Sequence, residues 1–240
     1  MPLIAIIIPC FNEEKRLASS EITNFLSQHP EYDFIFIDDG STDKTGQMIE
    51  EIEAVNKEQV TKIKLKTNKG KAYAVREGLL LSVSKKKYAF IGYWDADLST
   101  NLDELVRMTG IMIDQKLEFA FGSRMKKLNA NIKRSGFRHL AGRITATIID
   151  SRYNLGIYDT QCGAKLFSAS MAEMISKEIF VTNWLFDVEI FLRIKEYHPI
   201  ATGEEIPLLN WTSRPGSKIN VLSAPHLLIE LIKLMRAYPK

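Results

Sequence analysis

LIAIIIPCFNEE, Leu3 to Glu14, sets how the rest of the chain is read. Leu3 to Ile8 is apolar and rich in isoleucine, and Pro9 is expected to end the run. A short β-branched run without polar alternation marks a strand buried on both faces, as in a parallel sheet. The same design recurs downstream. Phe34 to Ile37 is apolar and leads into Asp38-Asp39-Gly40; Tyr88 to Trp94 leads into Asp95-Ala96-Asp97. Ile63 and Leu65 alternate with lysines and read as a further strand. Helical stretches lie between. Glu14 to Ser27 is one. A second has Ser41 or Thr42 as its expected cap, with Ile49, Ile52 and Val55 on one face. A third starts near Asn68-Lys69-Gly70 and carries Ala72, Val75, Leu79 and Val83 on one face. Strands and helices alternating at this spacing mean βαβ units and a parallel sheet. Ligands of such sheets sit beyond the carboxyl ends of the strands. Pro9 to Glu13, Asp38 to Asp43 and Asp95 to Asp97 fall at those ends, so three polar loops are expected to converge on one edge.

Composition narrows the class. The chain has 240 residues, 45% of them hydrophobic and 25% charged. At roughly 150 residues per domain that allows one large domain or two small ones, and it excludes a disordered, fibrous or disulfide-stapled chain. Thirty-two Lys and Arg against 29 Asp and Glu give a net charge of +3, too weak to argue for nucleic acid. Cys10 and Cys162 form no CxxC pair and read as reduced, packed residues. No apolar run approaches the ~18 residues of a bilayer span, and Leu3 to Ile8 is too short for a signal peptide. The expectation is a cytoplasmic protein that can still lie peripherally on a membrane.

The second half is less regular. Phe119 to Gly122 and Lys165 to Phe167 read as strands, and Asn183 to Tyr197 as a helix. Phe137, Leu140, Ala141, Ile144 and Ile148 mark one helix face, and Pro225 opens a last helix through about Met235. Between Glu118 and Asp150 there is no acidic residue, while Arg124, Lys126, Lys127, Lys133, Arg134, Arg138 and Arg143 are all basic. Charge runs are usually solvated faces, but a run with no acid at all favours an anionic lipid or a membrane surface. The last helix has a broad apolar face (Leu227, Leu228, Leu231, Ile232, Leu234, Met235) and a narrow polar one. It suits a membrane interface, and equally packing on the domain or on a second subunit, with core packing the default.

Three clusters carry chemistry. In Asp95-Ala96-Asp97 two carboxylates flank one small residue after a buried strand. Such a pair repels unless a cation lies between, and Mg²⁺ or Mn²⁺ takes one or two carboxylates plus substrate phosphates. The competing reading is a turn in which each Asp bonds the local backbone. Asp38 and Asp39 can accept bonds from a ribose or a base N–H, and the spacing does not say which of them does. Phe11 and Asn12 could stack on and bond a nucleobase.

IIIPCFNEE, IDDGSTDKT, NKGKAYAVREG and the DAD triplet, in this order and spacing, resemble family 2 glycosyltransferases of the GT-A fold. GSR at Gly122 to Arg124, DTQCGAKLF from Asp159, FDVE from Phe186 and the Trp211 to Lys218 block resemble the polyprenyl-phosphate branch, closest to dolichyl-phosphate β-glucosyltransferases. The resemblance covers nearly the whole chain. It implies one Rossmann-like α/β domain over residues 1–240, with a mostly parallel central sheet flanked by helices. Residues 1–100 would form a nucleotide-binding half, and 101–240 an acceptor-binding half ending in the amphipathic helix.

Residue by residue, the resemblance implies that Pro9, Phe11, Asn12 and Glu13 line the nucleotide pocket, with Asp38 and Asp39 on uracil and ribose. Lys69 and Gly70 would approach the nucleotide. Asp95 and Asp97 would hold Mg²⁺ or Mn²⁺ on the diphosphate. Arg124 and Arg134 would meet the acceptor phosphate, and Arg214, Ser217 and Lys218 would close over the phosphates. Asp97 and Asp159 are the expected catalytic residues, Asp159 as a positioner near the reacting sugar. Cys10, Phe11, Ser99 and Ala164 depart from the residues that many relatives carry. The implied partners are a nucleotide sugar (UDP-glucose first), a polyprenyl phosphate and a membrane surface, with a homo-oligomer left open and no nucleic acid.

The expected activity is inverting, metal-assisted transfer of a hexose to a polyprenyl phosphate. A phosphate dianion needs cations to hold it rather than a strong base. The alternatives are a family 2 transferase with another sugar (GDP-mannose, a UDP-hexosamine) or a glycan acceptor, a nucleotidyltransferase, and a non-catalytic binding module. A nucleotidyltransferase normally has a Gly-rich basic loop where Pro9 to Glu13 stands, and the intact DAD triplet argues against a non-catalytic module. No GxGxxG follows the first strand, which disfavours a dehydrogenase.

Overall fold

The computed structural model describes residues 2–128, 130–133, 136–214 and 224–239, without the side chains of 136–141 and 224. In chain order the elements are β1 (Ile4–Cys10), α1 (Ser19–Gln28), β2 (Tyr32–Asp38), α2 (Thr45–Val55), β3 (Val60–Lys64), α3 (Lys71–Ser84), β4 (Phe90–Trp94), α4 (Leu102–Asp114), β5 (Phe119–Ser123), β6 (Asn131–Lys133), α5 (Gly136–Tyr153), β7 (Ala164–Ser168), α6 (Ala169–Ser176), α7 (Phe186–Tyr197), β8 (Gly203–Pro207), β9 (Asn210–Thr212) and α8 (Ala224–Ala237). They fall into two compact units, Met1–Leu98 with Ala164–Ile179, and Ser99–Gly163 with Phe180–Lys240.

The first unit is built on a sheet in the order β3-β2-β1-β4-β7. β1 runs parallel to both β2 and β4, and β2 runs parallel to β3. β7 is antiparallel to β4 and so brings Ala164–Ile179 into this unit. This is the mostly parallel sheet flanked by helices that the alternation predicts. Ile4 to Ile8 are buried on both faces, each isoleucine contributing about 2 kcal/mol of transfer free energy. Ala72, Val75 and Leu79 of α3 are buried as their spacing predicts. Gly78 lets α3 approach, because a Cβ there would lie 2.5 Å from Ile7.

Several boundaries differ from the sequence reading. β1 continues through Pro9 to Cys10; its ladder with β4 stops at Ile7, so the missing proline N–H falls past that ladder. α1 starts at Ser19 rather than Glu14, because the Glu13 carbonyl closes a separate turn, accepting from the Arg16 and Leu17 amides. α2 starts at Thr45, and its N-cap, Lys44, makes no side-chain cap bond. Ser41 and Thr42 instead bond Asn12. Val55 ends α2 71% exposed, outside the core. α4, α6, β6, β8 and β9 are additions to the sequence reading.

In the second unit β5 pairs in parallel with β8, and β6 with β9. Ile149 and Tyr153 of α5 pack with Leu185, with Val188 and Leu192 of α7, and with Leu231 and Leu234 of α8. α8 is therefore packed within its unit, while Leu228, Ile229 and Ile232 stay exposed. Ile144 and Ile148, which mark one helix face in the sequence, are exposed; among the described side chains of α5 the buried ones are Thr145, Ala146, Ile149 and Tyr153. Phe137, Leu140 and Ala141 lie among the side chains outside the described residues.

Candidate active site

At the carboxyl ends of β1, β2 and β4, hydrogen bonds tie the polar loops together. The Asn12 amide donates to Ser41 Oγ at 3.0 Å, and Asn12 Oδ1 accepts from the Thr42 amide at 2.9 Å. The Glu13 amide donates to Thr45 Oγ1 at 2.7 Å, and the Glu14 amide to Asp43 Oδ2 at 3.1 Å. Burial alone would raise the Asp43 carboxyl, but bonds from the Thr45 hydroxyl and the Thr45 and Glu14 amides hold it below its usual value. Asn12 has φ +52°, a left-handed conformation that asparagine tolerates.

Arg16 links this cluster to the DAD triplet. Its Nε and Nη2 donate to the two Glu13 oxygens at 2.7 Å each, and its Nη1 donates to Asp97 Oδ2 at 3.3 Å. Burial would lower the Arg16 pKa, but Glu13, Asp97 and Asp95 outweigh it, and the guanidinium is held charged. Lys71 Nζ lies 2.6 Å from Asp95 Oδ1. Leu98 closes the triplet's turn, its amide donating to the Asp95 carbonyl at 3.1 Å. It is buried at φ +47°, which costs a leucine about 1–2 kcal/mol. Strain of this kind collects at functional turns.

Asp38 and Asp39 are both buried. Asp39 accepts from the Lys69 amide at 2.7 Å through Oδ1 and from the Gly70 amide at 2.8 Å through Oδ2, fixing the turn into α3. Asp38 Oδ1 accepts from the Ser41 amide at 2.9 Å, while its Oδ2 is buried without a hydrogen-bond partner among the described residues. Such an oxygen is costly to keep. Pro9 and Phe11 are partly buried; Lys69 is exposed, its Nζ 4.4 Å over the Tyr73 ring.

The residues present fit a hard divalent cation. Among the described residues no three His, Cys, Asp or Glu side chains form a metal-holding group. The DAD pair alone supplies two carboxylates, the donor set that Mg²⁺ or Mn²⁺ uses when phosphates complete its shell. Their partners, Lys71 and Arg16, are side-chain cations that can move aside.

The second unit holds the other candidates. Arg124 forks onto Asp159, with Nε to Oδ2 and Nη2 to Oδ1 at 2.7 Å each, and its own amide donates to Oδ2 at 3.0 Å. Trp211 sits 5.5 Å from the same guanidinium and is only partly buried. Arg143 Nη1 donates to the Tyr158 carbonyl at 2.7 Å. Arg214 is partly buried just after β9. Arg134, Ser217 and Lys218 lie outside the described residues.

Sequence reasoning missed Arg16 and Lys71 as partners of the DAD carboxylates. Lys71 stands inside NKGKAYAVREG, one residue past Lys69 and Gly70, and Arg16 carries no local signal.

The model of the family described as Glycosyl transferase family 2 matches residues 5–175. A dolichyl-phosphate beta-glucosyltransferase of Dictyostelium discoideum is 34% identical over 236 residues, covering 92% of this chain and 70% of that protein. The Homo sapiens protein of the same description is 31% identical, covering 90% and 69%. The fold is similar to glucosyl-3-phosphoglycerate synthase from Mycobacterium tuberculosis, solved with Mn²⁺, uridine-diphosphate and phosphoglyceric acid, with a TM-score of 0.69 at 13% identity over 98% of this chain and 78% of that one. With most of its length matched and the acidic loops gathered at the carboxyl edge of a parallel sheet, the chain belongs to glycosyl transferase family 2.

Proposed function

We propose that the protein transfers glucose from UDP-glucose, with inversion, to a polyprenyl phosphate of the dolichyl type. The observation that carries this reading is the likeness, over nine-tenths of the chain, to dolichyl-phosphate beta-glucosyltransferases. Pro9, Phe11, Asn12, Glu13, Asp38, Lys69 and Gly70 bind the nucleotide, and Asp39 holds the turn that presents Lys69 and Gly70. Asp95 and Asp97 hold Mg²⁺ or Mn²⁺, which supplies Lewis-acid stabilisation of the leaving diphosphate when bound. The M. tuberculosis synthase, solved with Mn²⁺ or Mg²⁺ and UDP, supports that choice of ion.

On the acceptor side, Arg124, with Arg134, Arg214, Ser217 and Lys218, holds the phosphate. A phosphate monoester has a second pKa of about 6, so at neutral pH it is already a nucleophile. Its oxygen bonds the anomeric carbon as the bond to the UDP oxygen breaks. Asp159, engaged by the Arg124 fork, orients that cation rather than taking a proton. A lipid substrate calls for a protein on the cytoplasmic membrane surface. Exposed Ile144, Ile148, Leu228, Ile229 and Ile232, with the acid-free basic stretch 119–149, support such a contact. Among the described residues no helix is long and apolar enough to cross a membrane.

The test is a transfer assay with Mg²⁺ or Mn²⁺, labelled UDP- and GDP-sugars, and polyprenyl phosphate or a soluble glycan. The expected result is label from UDP-glucose in an acid-labile, organic-soluble product. Label only in the glycan would remove the lipid phosphate from the reading.

A further inference from the structure

We propose that Glu205 is a positioning residue for the acceptor phosphate, acting through Asp159 on Arg124; this rests on the reading above. Asp159 sits in a stretch, 154–163, without helix or strand, so no regular element fixes its place. Glu205 does so instead. It stands on β8, opposite Phe121 in the β5–β8 register. Its two oxygens accept from two successive amides, Tyr158 at 2.8 Å and Asp159 at 2.7 Å. Arg143 holds the carbonyl of the same Tyr158 at 2.7 Å. The peptide that carries Asp159 is thus held at both amides and at one carbonyl.

The consequence falls on Arg124. Its fork meets both Asp159 oxygens, while the Trp211 ring lies 5.5 Å from the guanidinium. The two amides face different oxygens of Glu205, Oε2 for Tyr158 and Oε1 for Asp159, so both ends of the side chain must accept, as a carboxylate does. Glutamine has an acceptor oxygen at one end only and would set its own N–H groups against the other amide. The peptide would then shift and the fork would lose its aim, although every residue that touches substrate is still present. A misplacement of about 1 Å is enough to cost heavily in such a site.

The experiment compares wild type and Glu205→Gln by steady-state kinetics with UDP-glucose and a short-chain polyprenyl phosphate, alongside Tm. The expected result is a KM for the polyprenyl phosphate raised about tenfold, with the KM for UDP-glucose within about twofold and Tm within a few degrees. A calorimetric cycle on acceptor binding adds a readout that general loosening would not move. On an Arg124→Ala background, Glu205→Gln should weaken binding no further. Equal rises in both KM values, or additive losses in the cycle, would overturn the inference and leave the functional reading standing. A wild type that makes no polyprenyl product overturns that reading, and this inference with it. If Glu205→Gln does not fold, Glu205→Asp, which keeps the charge but draws both oxygens back from the two amides by one methylene, carries the same test with the same expected rise in acceptor KM.

Discussion

Asp95 and Asp97 in the first unit face side-chain cations, Lys71 at 2.6 Å and Arg16 at 3.3 Å. In the second unit Glu104, Glu189, Glu205 and Glu230 each face two successive backbone amides: Leu209 and Asn210, Val181 and Thr182, Tyr158 and Asp159, Asn183 and Trp184. A cation on a flexible stem can swing away and leave its carboxylate to another partner. A peptide amide cannot move without moving the chain. The first arrangement suits carboxylates that exchange ligands, and the second suits carboxylates that hold loops. Asp39 in the first unit is of the second kind, with both oxygens on the Lys69 and Gly70 amides.

The sharpest way to break this contrast is Asp97→Asn. If Asp97 is an exchanging ligand, transfer should fall by about 10³-fold or more, with Tm within a few degrees of wild type because the contact to Arg16, at 3.3 Å, is a long one. Full activity in the presence of metal would remove Asp97 from the metal site. Arg124→Ala should behave in the opposite way. Asp159, 6% exposed, would keep its charge without its fork, and breaking such a pair costs about 3 kcal/mol. At this size that lowers Tm by roughly 6–12 °C. An unchanged melting curve would mean that Asp159 tolerates the loss of the fork without cost to the fold.

The same contrast explains what was legible in the sequence. β1, β2 and β4 and the loops after them are local patterns: apolar runs followed at once by acids. The meeting of those loops followed from parallel topology alone. Three of the amide clamps have no such signature, because Glu104 meets residue 209, Glu205 residue 158 and Glu230 residue 183, each across a long stretch of chain. One local sign was present for α4. Asn101 accepts from the Glu104 amide at 3.2 Å, a capping pattern readable as N-x-x-E before an apolar run. β8, GEEIP, has too few apolar residues to read as a strand, since it is placed by pairing with β5 rather than by its own pattern.

Gly40→Ala examines the first unit's dependence on backbone rather than on charge. Gly40 has φ +72°, and a Cβ there would lie 2.7 Å from the Thr67 carbonyl carbon and 2.8 Å from the Asn68 nitrogen. Left-handed strain and the clash together should cost about 2 kcal/mol or more, and the loss should extend to UDP binding, because the same turn precedes Ser41 and its bond to Asn12. A variant that melts like wild type and binds UDP normally would mean that the turn opens without cost.

Acid gives the smallest effect and separates the two units by readout. Asp43 is held below its usual carboxylate value by the Thr45 hydroxyl and the Thr45 and Glu14 amides, against burial. Glu118 is held low by the Thr202 amide and then by His198. A lowered folded pKa means stability that is fully present above the unfolded value, about 4, and is lost as pH falls through the folded one. Both losses therefore lie on the acid side of about pH 4, and both are fractions of a kcal/mol after solvent screening. Asp43 holds the Glu14 amide beside the loops proposed to bind the nucleotide, so on that proposal its protonation should weaken UDP binding, and Asp43→Asn should remove that part of the acid dependence. Glu118 holds Thr202 just before β8, so Glu118→Gln should change only the acid limb of the Tm profile. If Glu118→Gln altered the acid dependence of UDP binding as much as Asp43→Asn, the division of labour between the two units' carboxylates would be wrong at its weakest point, where both charges are only partly buried.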